Sequence, residues 1–163
     1  MKNRSRKLAH GALIAALYAV LTHMQNILLP GSATWAIQLR LSEALCVLAF
    51  FTPAAIPGLT AGCLLFNVTY AAALPLDWVL GSLATFCAAW AMHRLRRHPL
   101  LGLLMPAISN AILVGWELTV YIGGAFWLNA LYVAIGEAIV LLTFGTLLYR
   151  AITNRNLQVR LFG

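Results

Sequence analysis

From Leu8 to Leu29 the chain carries no Asp, Glu, Lys or Arg. As a helix this run is about 33 Å long at ~1.5 Å per residue, enough to cross a hydrocarbon core of ~30 Å. Little else in the chain could hide it from water: of 163 residues, 62% are hydrophobic and 9% charged. No soluble domain of this size covers that much apolar surface. Residues 1–163 therefore read as one all-α integral membrane domain. The basic start, Lys2 to Lys7, and the apolar run behind it also have the form of a secretory leader, with Gly31-Ser32-Ala33 as a possible cleavage site. The spanning length favours a retained first helix.

Charge sets the number of crossings. Ten of the eleven basic residues fall in three blocks: Lys2, Arg4, Arg6 and Lys7; Arg94, Arg96 and Arg97; and Arg150, Arg155 and Arg160. Such blocks collect on the cytoplasmic side. Placing all three there requires an even number of crossings between the first and second. Helices over residues 8–29 and 76–92 supply two, so the apolar stretch from Leu41 to Leu74 must supply none or two. Thr52-Pro53 has the form of an N-cap followed by proline at the first helical position. The stretch thus divides into a short helix over 42–51 and a second over 53–73. Helices over 100–122, with Pro106 as an expected kink, and 125–149 complete a six-transmembrane-helix bundle with a short, broken second helix. The short piece covers only about half a bilayer, so it belongs inside the protein or beside a cavity. Both termini are expected in the cytoplasm of a bacterial plasma membrane.

The few polar residues gather on the opposite side. In this topology Glu43, Asp77, Glu117 and Glu137 all fall in the outer half or at the midplane, with Asn67, Asn110, Trp35, Trp116 and Trp127. Glu43 and Asp77 also suit helix starts, and Trp78, Trp127 and Tyr121 suit an interfacial aromatic belt. Glu117 and Glu137 are harder to explain structurally. An ionisable group within a span costs at least ~2.5 kcal/mol and points to function. Asn110 lies two turns before Glu117 on the same helix face. Carboxylates, amides and indoles together suit a flat, hydrogen-bond-rich heterocycle: a carboxylate accepts paired N–H donors, an amide reads the edge, an indole covers the face. A cationic amine is equally compatible with this composition. Glu117 and Glu137 are the expected main acceptors, Asn110 and Asn67 the edge readers, Trp116 or Trp127 the stacking partner. Arg40 and Glu43, expected near water, form an outer gate.

Five blocks carry a family resemblance: "RLSEAL", "FFTPAAIPGLTAGCLLFN", "GSLAT", "NAILVGWEL" and "GEAIVL". Over about residues 8–150 the chain resembles the QueT family, substrate-binding S components of energy-coupling factor transporters. The resemblance implies a six-helix membrane protein that takes up queuine or a related 7-deazaguanine queuosine precursor. It also implies a transmembrane coupling protein and two ATPase subunits as partners. The chain departs from the family pattern at Cys46 and Ala49, which read as packing positions away from the site.

The rest of the sequence fits a dependent transporter subunit. There is no G-x-x-x-x-G-K-[ST] loop, so the chain has no P-loop of its own. Gly11, Ala12, Ala15, Ala16 and Ala19 give the first helix a small-residue face that lets another helix approach closely. The resemblance assigns such a face to the coupling protein; packing within the bundle is the alternative. The three cysteines, Cys46, Cys63 and Cys87, show neither C-x-x-C spacing nor an even framework and read as reduced packing residues. No cofactor or metal is called for, and His10, His23, His93 and His98 form no H-E-x-x-H motif, which argues against an enzyme. The competing reading is a self-sufficient carrier driven by protons through Glu117 or Glu137.

Overall fold

A computed structural model describes residues 2–32, 37–71, 73–154 and 157. Trp35, Arg155 and Arg160 lie outside the described residues. Helix α1 (Lys2–Leu28) begins six residues earlier than the apolar run, because nothing in its basic start opposes a helix. A ten-residue 3₁₀ helix (Leu41–Phe50) follows. Then come α2 (Ala55–Thr69), a 3₁₀ turn (Pro75–Trp78), α3 (Leu80–Arg94) and α4 (Pro99–Tyr121). The last helical run, Phe126–Asn154, is continuous. It comprises α5 (Phe126–Val140), a π turn (Leu141–Gly145) and α6 (Thr146–Asn154). No strand occurs among the described residues. Three runs are long and apolar enough to cross a membrane: Arg4–Leu28, Pro99–Tyr121 and Phe126–Asn154.

The break in the 41–74 stretch falls at Thr52–Ala54. Thr52 Oγ1 accepts from the Ala54 N–H at 3.3 Å, and its carbonyl accepts from Ala55 at 3.2 Å. Pro57 then sits in the first turn of α2, where a missing N–H leaves no bond unmade. Pro106 lies inside α4 without ending it.

The short helix departs from expectation in kind. It is 3₁₀ rather than α, so it rises ~2.0 Å per residue and is about 20 Å long. Eight of its ten residues are buried, and it touches α1, α2, α3, α4, α5, the π turn and α6. It is the central strut of the bundle. Val47, Ala49 and Phe50 join Tyr18, Leu59, Met92 and Leu103 in the main apolar core.

Chain direction alternates at every helix. Tyr18, Thr22 and Gln25 of α1 meet Glu43, Ser42 and Leu41 in reverse order. Helix α2 runs back alongside α1, with His23 beside Thr69 near the far ends. Its near end is pressed against α1: a Cβ on Gly58 would lie 2.6 Å from Gly11 O, and one on Gly62 2.7 Å from Ala15 O. Only glycine permits that approach.

Candidate functional site

The site is assembled where the chain enters the 3₁₀ helix. Helix α1 supplies a polar ladder, Tyr18, Thr22 and Gln25, one side chain per turn. Gln25 fixes the entering backbone: its Oε1 accepts from Leu41 N–H at 2.8 Å, and its Nε2 donates to the Leu39 carbonyl and to Ser32 Oγ at 2.9 Å. The Thr22 and Ser42 hydroxyls are bonded at 2.6 Å. Tyr18 O–H donates to Glu43 Oε1. On the far side the backbone of Gln38 lies against α5, where a Cβ on Gly136 would come within 2.5 Å of Gln38 O. Entry into the bundle is therefore held from two helices.

Arg40 and Glu43 are 1% and 0% exposed. They do not stand near water, as the outer-gate reading requires, because the 3₁₀ strut begins inside the bundle. Glu43 is well supplied with donors. Besides Tyr18, the Cys46 thiol donates to Oε2 at 3.1 Å, and Thr85 Oγ1 lies 3.5 Å from Oε1. In a 3₁₀ helix residues three apart eclipse, which brings Cys46 onto Glu43. Cys46 thus touches the polar cluster, contrary to its reading as a remote packing residue. Arg40 lies over the Phe66 ring, 5.9 Å from its centroid, with Nη1 3.8 Å from Cys63 Sγ.

All four acidic side chains are within electrostatic reach of this arginine. Glu43 and Asp77 act electrostatically on Arg40, and Arg40 acts on Glu117 and Glu137. Asp77 also acts on Glu117, and Glu43 on Glu137. Asp77 stands in the first turn of its 3₁₀ segment, Pro75–Trp78, whose N-cap residue, Leu74, makes no side-chain cap bond. Asp77 is buried, its carbonyl accepts from Asn67 Nδ2 at 2.7 Å, and its Oδ1 has no partner. Asp77 is thus an acid of a helix start, as its sequence context suggests, that is also buried in the polar cluster.

Donors are unevenly shared. Both oxygens of Glu117 and both of Glu137 are buried without a hydrogen-bond partner. So are both polar atoms of Asn110, Oδ1 of Asn67, Oε1 of Gln38 and Oγ of Ser82. A buried polar group left unmade costs roughly 1–3 kcal/mol, and more when charged. The cluster thus satisfies Glu43, whereas among the described residues no side-chain or backbone N–H or O–H donor is placed on Glu117 or Glu137, and Glu117 lies within hydrogen-bonding reach of the Asp77 carboxyl. Asn110 is buried two turns before Glu117, and no hydrogen bond ties it to the group.

Trp116 and Trp127 are elsewhere. Trp116 is 52% exposed and Trp127 80% exposed, on the outside of the bundle. A helix turns ~100° per residue, so Trp116 points away from the face that buries Glu117. The aromatic surface at Arg40 is Phe66, stacked on Tyr70 at 5.1 Å and flanked by His23 at 4.9 Å. Sequence reasoning missed Tyr18, Thr22, Gln25 and Phe66. The spacing of Tyr18, Thr22 and Gln25 was the available signal: polar residues at i, i+4 and i+7 within an otherwise apolar helix.

The small-residue face divides. Gly11 and Ala15 pack on Gly58 and Gly62, and Ala19 is buried, whereas Ala12 and Ala16 are exposed. Beside them runs an apolar groove of about 740 Å³ along α1 and α2. Gly11, Ala12, Ala15, Ala54, Gly58 and Ala61 line it, with Arg4 and Lys7 at one end.

A model of the QueT transporter family matches residues 8–154 of the chain. No curated protein and no solved structure matches it.

Proposed function

Because the chain belongs to the QueT transporter family, we propose that it is the substrate-binding component of an energy-coupling factor importer, taking up queuine or a related 7-deazaguanine queuosine precursor. One observation carries the reading: two buried glutamates, Glu117 and Glu137, lie within electrostatic reach of one arginine, and no N–H or O–H donor of the described residues is placed on their four oxygens. A 7-deazaguanine presents adjacent N–H donors on one edge and a carbonyl beside them. A carboxylate can take the donors, Arg40 or an amide such as Asn110 or Asn67 can take the carbonyl, and Phe66 offers a ring face. In this assignment Phe66 replaces Trp116 and Trp127 as the stacking surface. Glu43, already bonded to Tyr18 and Cys46, holds the 3₁₀ strut in place.

The six helical segments are read as six crossings, an assignment that alternating chain direction supports. The groove on α1 and α2 is the proposed contact for the transmembrane coupling protein, which in turn engages two ATPase subunits. Its floor is small and its exposed rim includes Ala12 and Ala61, so another helix can approach the backbone closely.

Mass spectrometry of small molecules retained by the purified protein tests the reading directly. A 7-deazaguanine, released on denaturation at close to one per chain, is the expected result. Retention of a different class, or no binding of added queuine or its precursors by calorimetry, would overturn the assignment.

A further inference from the structure

The four acidic side chains are all buried in the polar cluster. None is available to the arginines at the opposite end of α3. There Arg94, Arg96 and Arg97 are exposed and, with His93, line a hollow of about 390 Å³. His93 is anchored: its Nδ1 donates to the Ala49 carbonyl at 2.7 Å, which holds the ring against the 3₁₀ helix at the wall of the hollow. Helix α4 begins at Pro99, so its positively polarised N-terminal end adds to the same junction. The site is concave and cationic, and among the described residues no acidic side chain neutralises it.

Its surroundings identify the source. One turn before Arg94, Trp90 is 48% exposed, and the Arg94 guanidinium lies over its ring at 5.0 Å. An exposed tryptophan beneath an arginine marks the level of a membrane–water boundary. Just past the hollow, Leu100 and Leu101 are 77% and 55% exposed. Apolar surface therefore borders the cationic hollow on both sides. A free phosphate satisfies only the arginines. A molecule with a phosphate head and acyl chains satisfies the arginines and covers Trp90, Leu100 and Leu101 together.

We propose that the hollow lined by His93, Arg94, Arg96 and Arg97 is a binding site for the headgroup of an anionic phospholipid. A two-phosphate lipid matches three guanidinium groups better than a one-phosphate lipid. The inference rests on the α3–α4 junction lying at a membrane surface. It does not depend on what the protein carries.

Native mass spectrometry of the full chain in detergent, titrated with phosphatidylglycerol, cardiolipin or phosphatidylcholine, tests it. Cardiolipin should bind most tightly, then phosphatidylglycerol, with phosphatidylcholine weakest. A basic residue near anionic lipid contributes about fivefold, so an Arg96→Gln, Arg97→Gln pair should weaken anionic lipid binding on the order of thirtyfold. An Arg4→Gln, Lys7→Gln pair removes the same charge elsewhere and should change it by no more than a few fold. Equal losses in the two pairs would overturn the proposal in favour of diffuse charge. Displacement of the lipid by millimolar inorganic phosphate would assign the hollow to the free ion and also overturn it. A readout without substitutions guards against misfolded variants. Amide exchange across residues 93–100 of the unaltered chain should slow in phosphatidylglycerol bicelles relative to phosphatidylcholine, and equal exchange would again overturn the proposal. None of these measurements involves cargo, so failure here is separate from failure of the transport reading.

Discussion

Three glutamates of one chain, all fully buried, are in different chemical situations. Glu43 accepts from a tyrosine and a thiol, whereas among the described residues no N–H or O–H donor is placed on Glu137, and Glu117 has only the Asp77 carboxyl within hydrogen-bonding reach. A charge-assisted hydrogen bond contributes roughly 1.5–3 kcal/mol. Glu117→Gln and Glu137→Gln should each therefore weaken ligand binding roughly ten- to a hundredfold by calorimetry, with little loss of fold. Near-unchanged affinity in both would mark them as structural. Tyr18→Phe should do the reverse. It leaves Glu43 one donor short and should lower stability by about 1–3 kcal/mol in detergent unfolding, with a smaller effect on the affinity of the protein that remains folded. The candidate roles of Glu117 and Glu137 were legible because ionisable residues in apolar runs are conspicuous. The satisfied state of Glu43 was not, since it depends on Tyr18, which is far away in sequence and of a residue type common at membrane interfaces. Asp77 was obscured in a similar way: following Pro75, it looks like a helix start.

Among elements, the lengths of apolar runs and the two prolines were enough to place six helical segments and the break at Thr52–Ala54. Hydrogen-bond register was not legible. A 3₁₀ strut and an α-helix can share one apolar composition, and burial on nearly every side removes the periodic contrast that would tell them apart. The small-residue face was seen as a single feature because spacing alone cannot say which neighbour a face meets. The structure turns Gly11, Ala15 and Ala19 inward and leaves Ala12 and Ala16 outside. Two substitutions should separate these roles. Gly62→Val forces a Cβ to within 2.7 Å of Ala15 O and the Tyr18 Cβ. It should destabilise the protein by at least about 1–3 kcal/mol and disturb ligand binding through Tyr18. Ala12→Trp adds bulk to the open groove. It should leave ligand affinity within about twofold of the original while abolishing co-purification with the coupling protein, since no new contact with the site is made. Intact co-purification and uptake with Ala12→Trp would show that the groove has another use.

For the whole molecule, the prediction is topological. Six crossings place residues 2–7, the 94–98 turn and the end of α6 on one side, and the entrance to the polar cluster on the other. Cysteines introduced singly at Asn3, His98 and Asn156, in a background lacking the native three, should react with a membrane-impermeant maleimide only after the membrane is opened. Labelling of His98→Cys from outside intact cells would exclude an even number of crossings before it. Uptake should also require the ATPase partners, and cargo accumulation without them would favour a proton-driven carrier. The π turn at Leu141–Gly145 bears on this global arrangement through phase. It stores one residue more than an α turn, so everything after it is rotated by about 100° against everything before. Upstream of that step the helix buries Glu137 within electrostatic reach of Glu43 and Arg40; downstream it points Tyr149 at Phe50 and Phe51 and buries Ile152. A single angular setting could not serve both ends. Deleting one residue from 141–145 would leave an unbroken α-helix of nearly the same length and composition, yet swing one of its two ends off its partners, like a key cut correctly and turned in the lock by a quarter.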